Sequence, residues 1–235
     1  MQVVSLSKTA QVRQAIILKI LTGQLVPGQR LVEAKIASEL NVSQATVNAA
    51  LQDLNNQRLV TKLMNRSNNV CRYTRAEIEN LFQVRMALEP LAAEAASANW
   101  SNSAHAILGE QVDHMRRAAR AKDLQKFCLA DYTFHQELYK LTNNSFLIQA
   151  CQAIAAAPFA YILCDGLKPL PTDYLALAED HQDIVRALEE GPETAARITR
   201  ERLMEWRVYS LQALEPGSVP TATNTVANKG NKGDL

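Results

Sequence analysis

Residues 31–73 read LVEAKIASEL, NVS, QATVNAALQDLNNQ and RLVTKLMNRSNNVCRY in four successive pieces. In the first, Val32, Ile36 and Leu40 recur at every fourth position, an apolar stripe at helical spacing. Asn41-Val42-Ser43 interrupts the stripe, and the Ser43 hydroxyl can accept a bond from the first turn of a new helix. That second helix sets Val47, Ala50, Leu51 and Leu54 on one face, and Gln44, Asn48, Gln52 and Asn55 on the other. Two helices joined by a three-residue turn are the helix-turn-helix unit, whose second helix can enter the DNA major groove. Two β-prone runs follow, 59–62 and 70–73, with Asn65-Arg66-Ser67-Asn68-Asn69 between them. This is a hairpin signature and predicts a wing.

Any two amphipathic helices around a tight turn share part of this pattern, so charge has to decide. Residues 1–75 hold ten Lys/Arg against three Asp/Glu, a net of +7. Residues 76–235 hold fifteen against twenty-one, a net of −6, so the total of +1 hides a strong asymmetry. A basic segment on an acidic body is the electrostatic footprint of a nucleic-acid module attached to something else. The 235 residues suffice for one or two domains, and a 47% hydrophobic content is that of an ordinary globular chain. Cys71, Cys128, Cys151 and Cys164 form no CxxC pair and no zinc spacing, which predicts buried, reduced thiols. Lys19 breaks the apolar run that a secretory signal would need. No apolar stretch approaches the ~18 residues required to span a bilayer. The expectation is a cytoplasmic protein with no membrane contact.

Upstream, Ser7 is positioned to cap a helix to about Leu21 with Val12, Ile16, Ile17 and Ile20 as its apolar face. Downstream, Thr74-Arg75-Ala76-Glu77 is a capping box that starts a helix at once, with Pro90 as a kink or boundary. From there strand signals vanish. Further helices are predicted over 103–122, from a cap at Asp123 to Leu141, over 146–164 with an interruption at Pro158, from a cap at Thr172 to Gly191, and from Pro192 to about Leu214. The fold class is therefore mostly α: an N-terminal winged helix-turn-helix followed by an antiparallel all-helical bundle of six or seven helices. The divisions fall at 1–74 for the DNA-binding part, 75–214 for the helical part and 215–235 for a tail poor in large apolar residues, expected to be disordered.

At this point the residues resemble a known family. PGQRLVEAKIASELNVSQATVNAALQDLNNQRLV is similar to the winged helix-turn-helix of GntR-type bacterial transcription regulators. VRMALEPLAAEAA, DYTFHQELYKLTNNSFL and EDHQDIVRALEEG resemble the helical effector (FCD) domain of the FadR subgroup. The resemblance spans about residues 8–210. It implies a homodimer on a palindromic operator in double-stranded DNA, with a small-molecule effector, often a carboxylate, bound in the bundle to change DNA affinity. It also implies DNA contacts from Arg30, Ser43, Gln44, Thr46, Asn48, Gln52 and Arg66. Relatives commonly show Ser-Arg-Thr-Pro-Val-Arg-Glu-Ala-Leu in the reading helix, where this chain has Ser43-Gln44-Ala45-Thr46-Val47-Asn48-Ala49-Ala50-Leu51. Two arginines have become Gln44 and Asn48, a third frequent one is Gln52, and the usual Arg-Gly of the wing is Arg66-Ser67. Arginine contacts phosphate and guanine, whereas Gln and Asn pair best with adenine, so an A·T-weighted operator with reduced nonspecific affinity is expected.

Asp131 and His135 stand four apart and share a helix face, a spacing that can chelate one ion or form a simple ion pair on a wet surface. In the family, the matching Asp and His join two further histidines. His181 matches the first of these, but the second should fall near Leu203, and no histidine lies beyond His181. The implied metal set is Asp131, His135 and His181, which can still hold one divalent ion, zinc or similar, with an open position. The alternative is a pocket that takes its effector directly. Arg85 matches a pocket-facing family position and can fork an effector carboxylate or pair with Glu89 one turn on. The effector set is thus Arg85, Asp131, His135 and His181. Arg200 and Arg202 lie near Leu203 but on other faces of the helix. His105, His114, Asp183, Glu189 and Glu190 read as solvated, and Trp100, Trp206, Phe127, Phe134 and Tyr161 as core.

Three functions compete: a ligand-responsive transcription factor, an effector-binding dimer with degenerate DNA binding, and a metal-dependent helical enzyme. The enzyme reading lacks a nucleophile motif and a phosphate-binding loop and leaves the basic segment unexplained.

Overall fold

The computed structural model describes residues 7–62, 67–155 and 173–212. The first helix, α1 (Lys8–Leu21), starts where the Ser7 hydroxyl accepts from Ala10 N at 3.2 Å. Val12, Ile16, Ile17, Ile20 and Leu21 form its buried stripe. Gly28 then takes a left-handed backbone (φ +78°), and its N–H donates to Val70 O across 2.9 Å. The strand β1 (Arg30–Leu31) leads into α2 (Glu33–Leu40). Asn41, left-handed at φ 50°, ends α2, and Ser43 caps α3 (Gln44–Asn56) through Thr46 N. Val47, Ala50, Leu51 and Leu54 are at most 1% exposed, as their spacing predicts.

The expected hairpin forms, with the start of its second strand corrected and one strand added. β2 (Val60–Lys62) and β3 (Asn68–Val70) are antiparallel, with β3 in the centre and β1 on its other edge. The second strand thus begins earlier than the expected run at 70–73, and a third strand joins it. Asn68 and Asn69 were assigned to the turn on local propensity, but they pair with Leu31 and Arg30. Asn69 Nδ2 also donates to Gly28 O at 3.0 Å. Tertiary partners override the turn preference of asparagine here. Val32 is a second correction. It stands at the N-cap of α2 and is 48% exposed, so Ile36, Ala37 and Leu40 make that helix's contact with the core.

The capping box at Thr74 and Glu77 is formed in full and starts α4 (Arg75–Ser97) five residues after β3. Pro90 sits inside α4 without ending it. The remaining helices are α5 (Asn102–Arg120), α6 (Leu124–Leu141), α7 (Ser145–Ala155), α8 (Tyr174–Glu190) and α9 (Pro192–Gln212). Asp123 caps α6 as expected, and Asp173 caps α8 through the N–H groups of Leu175 and Ala176. Arg66, Pro158, Tyr161, the expected cap Thr172, Leu214 and the tail 215–235 lie outside the described residues. α4 packs along α9 and against α6 and α7, while α5 packs between α6 and α8. Arg75 Nη1 donates to Leu211 O at 3.2 Å and Arg207 pairs with Glu79, so the first turns of α4 are tied to α9. α1 touches α6, joining the winged unit to the bundle. Among the described residues no helix is long and apolar enough to cross a membrane.

The Thr74 cap stands between wing and bundle. Thr74→Ala is expected to cost about 1 kcal/mol in urea denaturation. An unchanged midpoint would show that α4 starts without it.

Candidate functional site

Two sets of polar side chains stand apart from the core, one on the surface of α3 and one inside the bundle. On α3, Gln44 and Gln52 are exposed and Asn48 is half-buried. Asn48 Nδ2 donates to Glu33 Oε1 at 3.1 Å, and Gln52 Nε2 donates to Asn48 Oδ1 at 3.0 Å. Asn68 of β3 also reaches Glu33 Oε1, at 3.0 Å. Thr46 Oγ1 lies 2.8 Å from Ser43 Oγ, so these two are engaged in the cap. Arg30 is exposed on β1, beside Asn69. Asn55 departs from the expected amide face: its Nδ2 donates to Val60 O at 3.0 Å and pins β2 to the end of α3. Glu33 and Asn68 escaped the sequence reading, because a lone Glu in a helix's first turn reads as ordinary dipole compensation.

Inside the bundle, α6 and α8 bring Asp131, His135 and His181 together, with exposures of 6%, 4% and 2%. The wet-surface ion pair is thereby excluded. One ligand atom from each lies within 4.8 Å of the others. His181 Nδ1 stands 2.7 Å from Leu177 O, and since a carbonyl only accepts, Nδ1 carries the proton. His181 Nε2 is then turned toward Asp131 Oδ1, 2.7 Å away. That contact is close enough for charge attraction but is not aligned as a hydrogen bond, and Nε2 counts among the buried atoms without a partner. Asp131 Oδ2 and His135 Nε2 are also buried and unpartnered.

Burial alone would push the Asp131 carboxyl up, but His181, with His135 and Arg85, holds it below the usual carboxylate range. Burial would push His181 down, and the Asp131 charge outweighs it and lifts His181 above the ordinary imidazole value. For His135 burial wins over Glu89 and Asp131, and its pKa is lowered. Two acid oxygens and imidazole nitrogens converge in a dry place with bonding capacity left over, and this donor set suits a zinc-like ion. The far ring nitrogen of His181 is held by a carbonyl, as the imidazoles of metal sites commonly are, and Nδ1 of His135 lies 4.0 Å from Glu89 Oε2.

Arg85 grips Glu89 rather than open space, Nε to Oε1 at 2.6 Å and Nη2 to Oε2 at 3.2 Å, and both residues are buried. This is the pairing that stood as its alternative in the sequence. Leu203, where a further ligand was expected, is fully buried in an apolar cluster with Ile78, Phe82 and Leu211. One turn on, Trp206 stacks on His181 with centroids 5.0 Å apart, and its Nε1 donates to Asp180 Oδ2 at 3.2 Å. Phe134 meets the edges of both His135 and His181. Trp206 was read as core; its spacing of three from Leu203 was the signal that it faces the site. Arg202 is drawn to Asp180 and Asp183, at 3.3 and 3.6 Å, and Arg200 is exposed. His105, His114, Glu189 and Glu190 lie on the surface as expected.

Residues 80–205 match the FCD domain family, and residues 8–70 match the family described as "Bacterial regulatory proteins, gntR family". A "probable D-xylose utilization operon transcriptional repressor" of Paenarthrobacter nicotinovorans is 30% identical over 187 residues, covering 79% of this chain and 81% of that one. The gluconate operon transcriptional repressor of Bacillus licheniformis is 22% identical, with 73% and 72% covered. The solved structure of E. coli McbR/YncC superposes with a TM-score of 0.78 at 19% identity, over 90% of this chain and 100% of that one, a likeness of fold.

The buried Arg85–Glu89 pair generates a direct prediction. Glu89→Ala leaves a guanidinium alone in the core and is expected to cost about 3–5 kcal/mol in chemical denaturation. Arg197→Ala, which breaks the exposed pair with Glu201, is expected to cost under about 1 kcal/mol. Equal effects would contradict the assignment.

Proposed function

This chain belongs to the gntR family of bacterial regulatory proteins and carries an FCD domain, and we propose that it senses a small organic acid at the Asp131–His135–His181 cluster. It is a ligand-responsive DNA-binding transcriptional regulator. The winged unit, 1–74, grips operator DNA; the helical part, 75–214, binds effector and pairs two copies into a homodimer; 215–235 is a tail. It works in the cytoplasm, beside its operator. The observation that carries the effector reading is the set of buried, unpartnered ligand atoms on Asp131, His135 and His181. Asp131, His135 and His181 would hold a divalent ion such as zinc, which would supply Lewis acidity toward a carboxylate. Gluconate, which gives one relative's operon its name, is an acid of this class.

The coupling is short. His135 faces Glu89, Glu89 holds Arg85, and Glu89 and Arg85 belong to α4, whose Thr74 cap follows β3 after the short stretch Cys71–Tyr73. An acid that draws on this charge chain biases the tilt of α4, and with it the separation of the two winged units of a dimer. Half-sites one helical turn apart tolerate little misplacement. This is allostery as a coupling between two sites through one rigid element.

On the DNA side, Gln44, Asn48 and Gln52 carry the base contacts, with Arg30, Ser43, Thr46 and Arg66 on the backbone or its edge. Amides in place of arginines favour adenine and remove phosphate neutralisation, each lost contact lowering the salt slope by about one. Selection of bound duplexes from a random pool is expected to return A·T-weighted inverted repeats. A G·C-rich consensus would contradict this reading of the amides. Enrichment of no sequence would favour the second reading, an effector-binding dimer whose DNA contact has degenerated.

A further inference from the structure

Glu33 stands where three elements of the winged unit meet. It opens α2, and its Oε1 accepts from Asn48 on α3 and from the buried Asn68 on β3. We propose that Glu33 is a positioning residue that fixes the donor–acceptor polarity of the reading face and thereby makes Gln52 an adenine reader. This rests on the DNA reading above.

Glu33, Asn48 and Gln52 form a chain of hydrogen bonds with a fixed end. An ionised carboxylate only accepts. The amide nitrogen of Asn48 therefore has to face Glu33, and its Oδ1 has to face the other way. Oδ1 meets Gln52 at 3.0 Å, and only an N–H of Gln52 can satisfy it. Gln52, exposed on the surface of α3, is left with Oε1 and a second N–H. Those are the two groups a bidentate contact to adenine requires, the oxygen accepting from N6 and the N–H donating to N7. Turned round, Gln52 would use Oε1 on Asn48 and offer only N–H groups, which suit N7 and O6 of guanine. The sign of one carboxylate, two side chains away, thus decides between two purines. Asn68 holds that carboxylate from the wing, so strand and reading helix share one anchor.

The test compares base preferences selected from random DNA by wild type, Gln52→Ala and Glu33→Gln. Gln52→Ala is expected to flatten one base pair and so identify it. Glu33→Gln gives the chain an end that can donate as well as accept. At that same base pair the ratio of adenine to guanine is expected to fall at least about fivefold, with other positions kept. An unchanged Glu33→Gln profile, a uniform loss on all sequences, or a Gln52→Ala profile with no flattened base pair would each overturn the proposal. If Glu33→Gln melts, Asn48→Ala breaks the chain one bond later and leaves Glu33 on Asn68; apart from any base pair that Asn48 itself reads, the same fall in the ratio of adenine to guanine is expected at the Gln52 base pair, and its absence overturns the proposal equally. Failure of the wild type to enrich any sequence would instead overturn the DNA reading beneath it.

Discussion

The bundle is organised around a contact that a neutral core cannot sustain. His181 Nε2 and Asp131 Oδ1 lie 2.7 Å apart, and the other ring nitrogen is already committed to the Leu177 carbonyl. In an unprotonated site these are two acceptors facing each other. Only an added proton, on His181 or on Asp131, or a metal ion makes the arrangement favourable. The lowered Asp131 and raised His181 pKa values express that demand for the proton. Taking such charges out of water costs several kcal/mol per ion, so α6 and α8 are brought together here against a cost that Phe134 and Trp206 help to offset by packing on the imidazoles.

From this contact the architecture runs outward in two directions. Toward α9, Trp206 and Leu203 set apolar surface where a further ligand was expected, so the cluster consists of Asp131, His135 and His181. Toward α4, Glu89 pairs with Arg85 and lies 4.0 Å from His135, and α4 begins at its Thr74 cap shortly after the wing. The acidic body and the basic winged unit therefore meet at the start of α4, the helix that carries Arg85 and Glu89.

Much of this was legible in sequence because it is local. Helical stripes such as Val47–Leu54 and caps such as Ser43, Thr74 and Asp123 are set by neighbours within one turn, and all form. The i, i+4 spacing of Asp131 and His135 likewise survives folding. What failed depended on distant chain. Asn68 and Asn69 have turn propensity, but β1, some forty residues earlier by register, claims them as strand. Val32 has the right period for the core yet sits at a helix cap in solvent. Leu203 told what was missing but not what replaced it. The stacking of Trp206 on His181 joins α9 to α8, a contact no local pattern contains.

The buried Asp131, His135 and His181 are proposed to share one cation. Isothermal titration of zinc into chelator-stripped protein measures this most directly. The account predicts uptake of about one ion per chain, with Asp131→Ala weakening it by at least about tenfold. Absence of zinc binding, or Asp131→Ala binding as tightly as the parent chain, would contradict it.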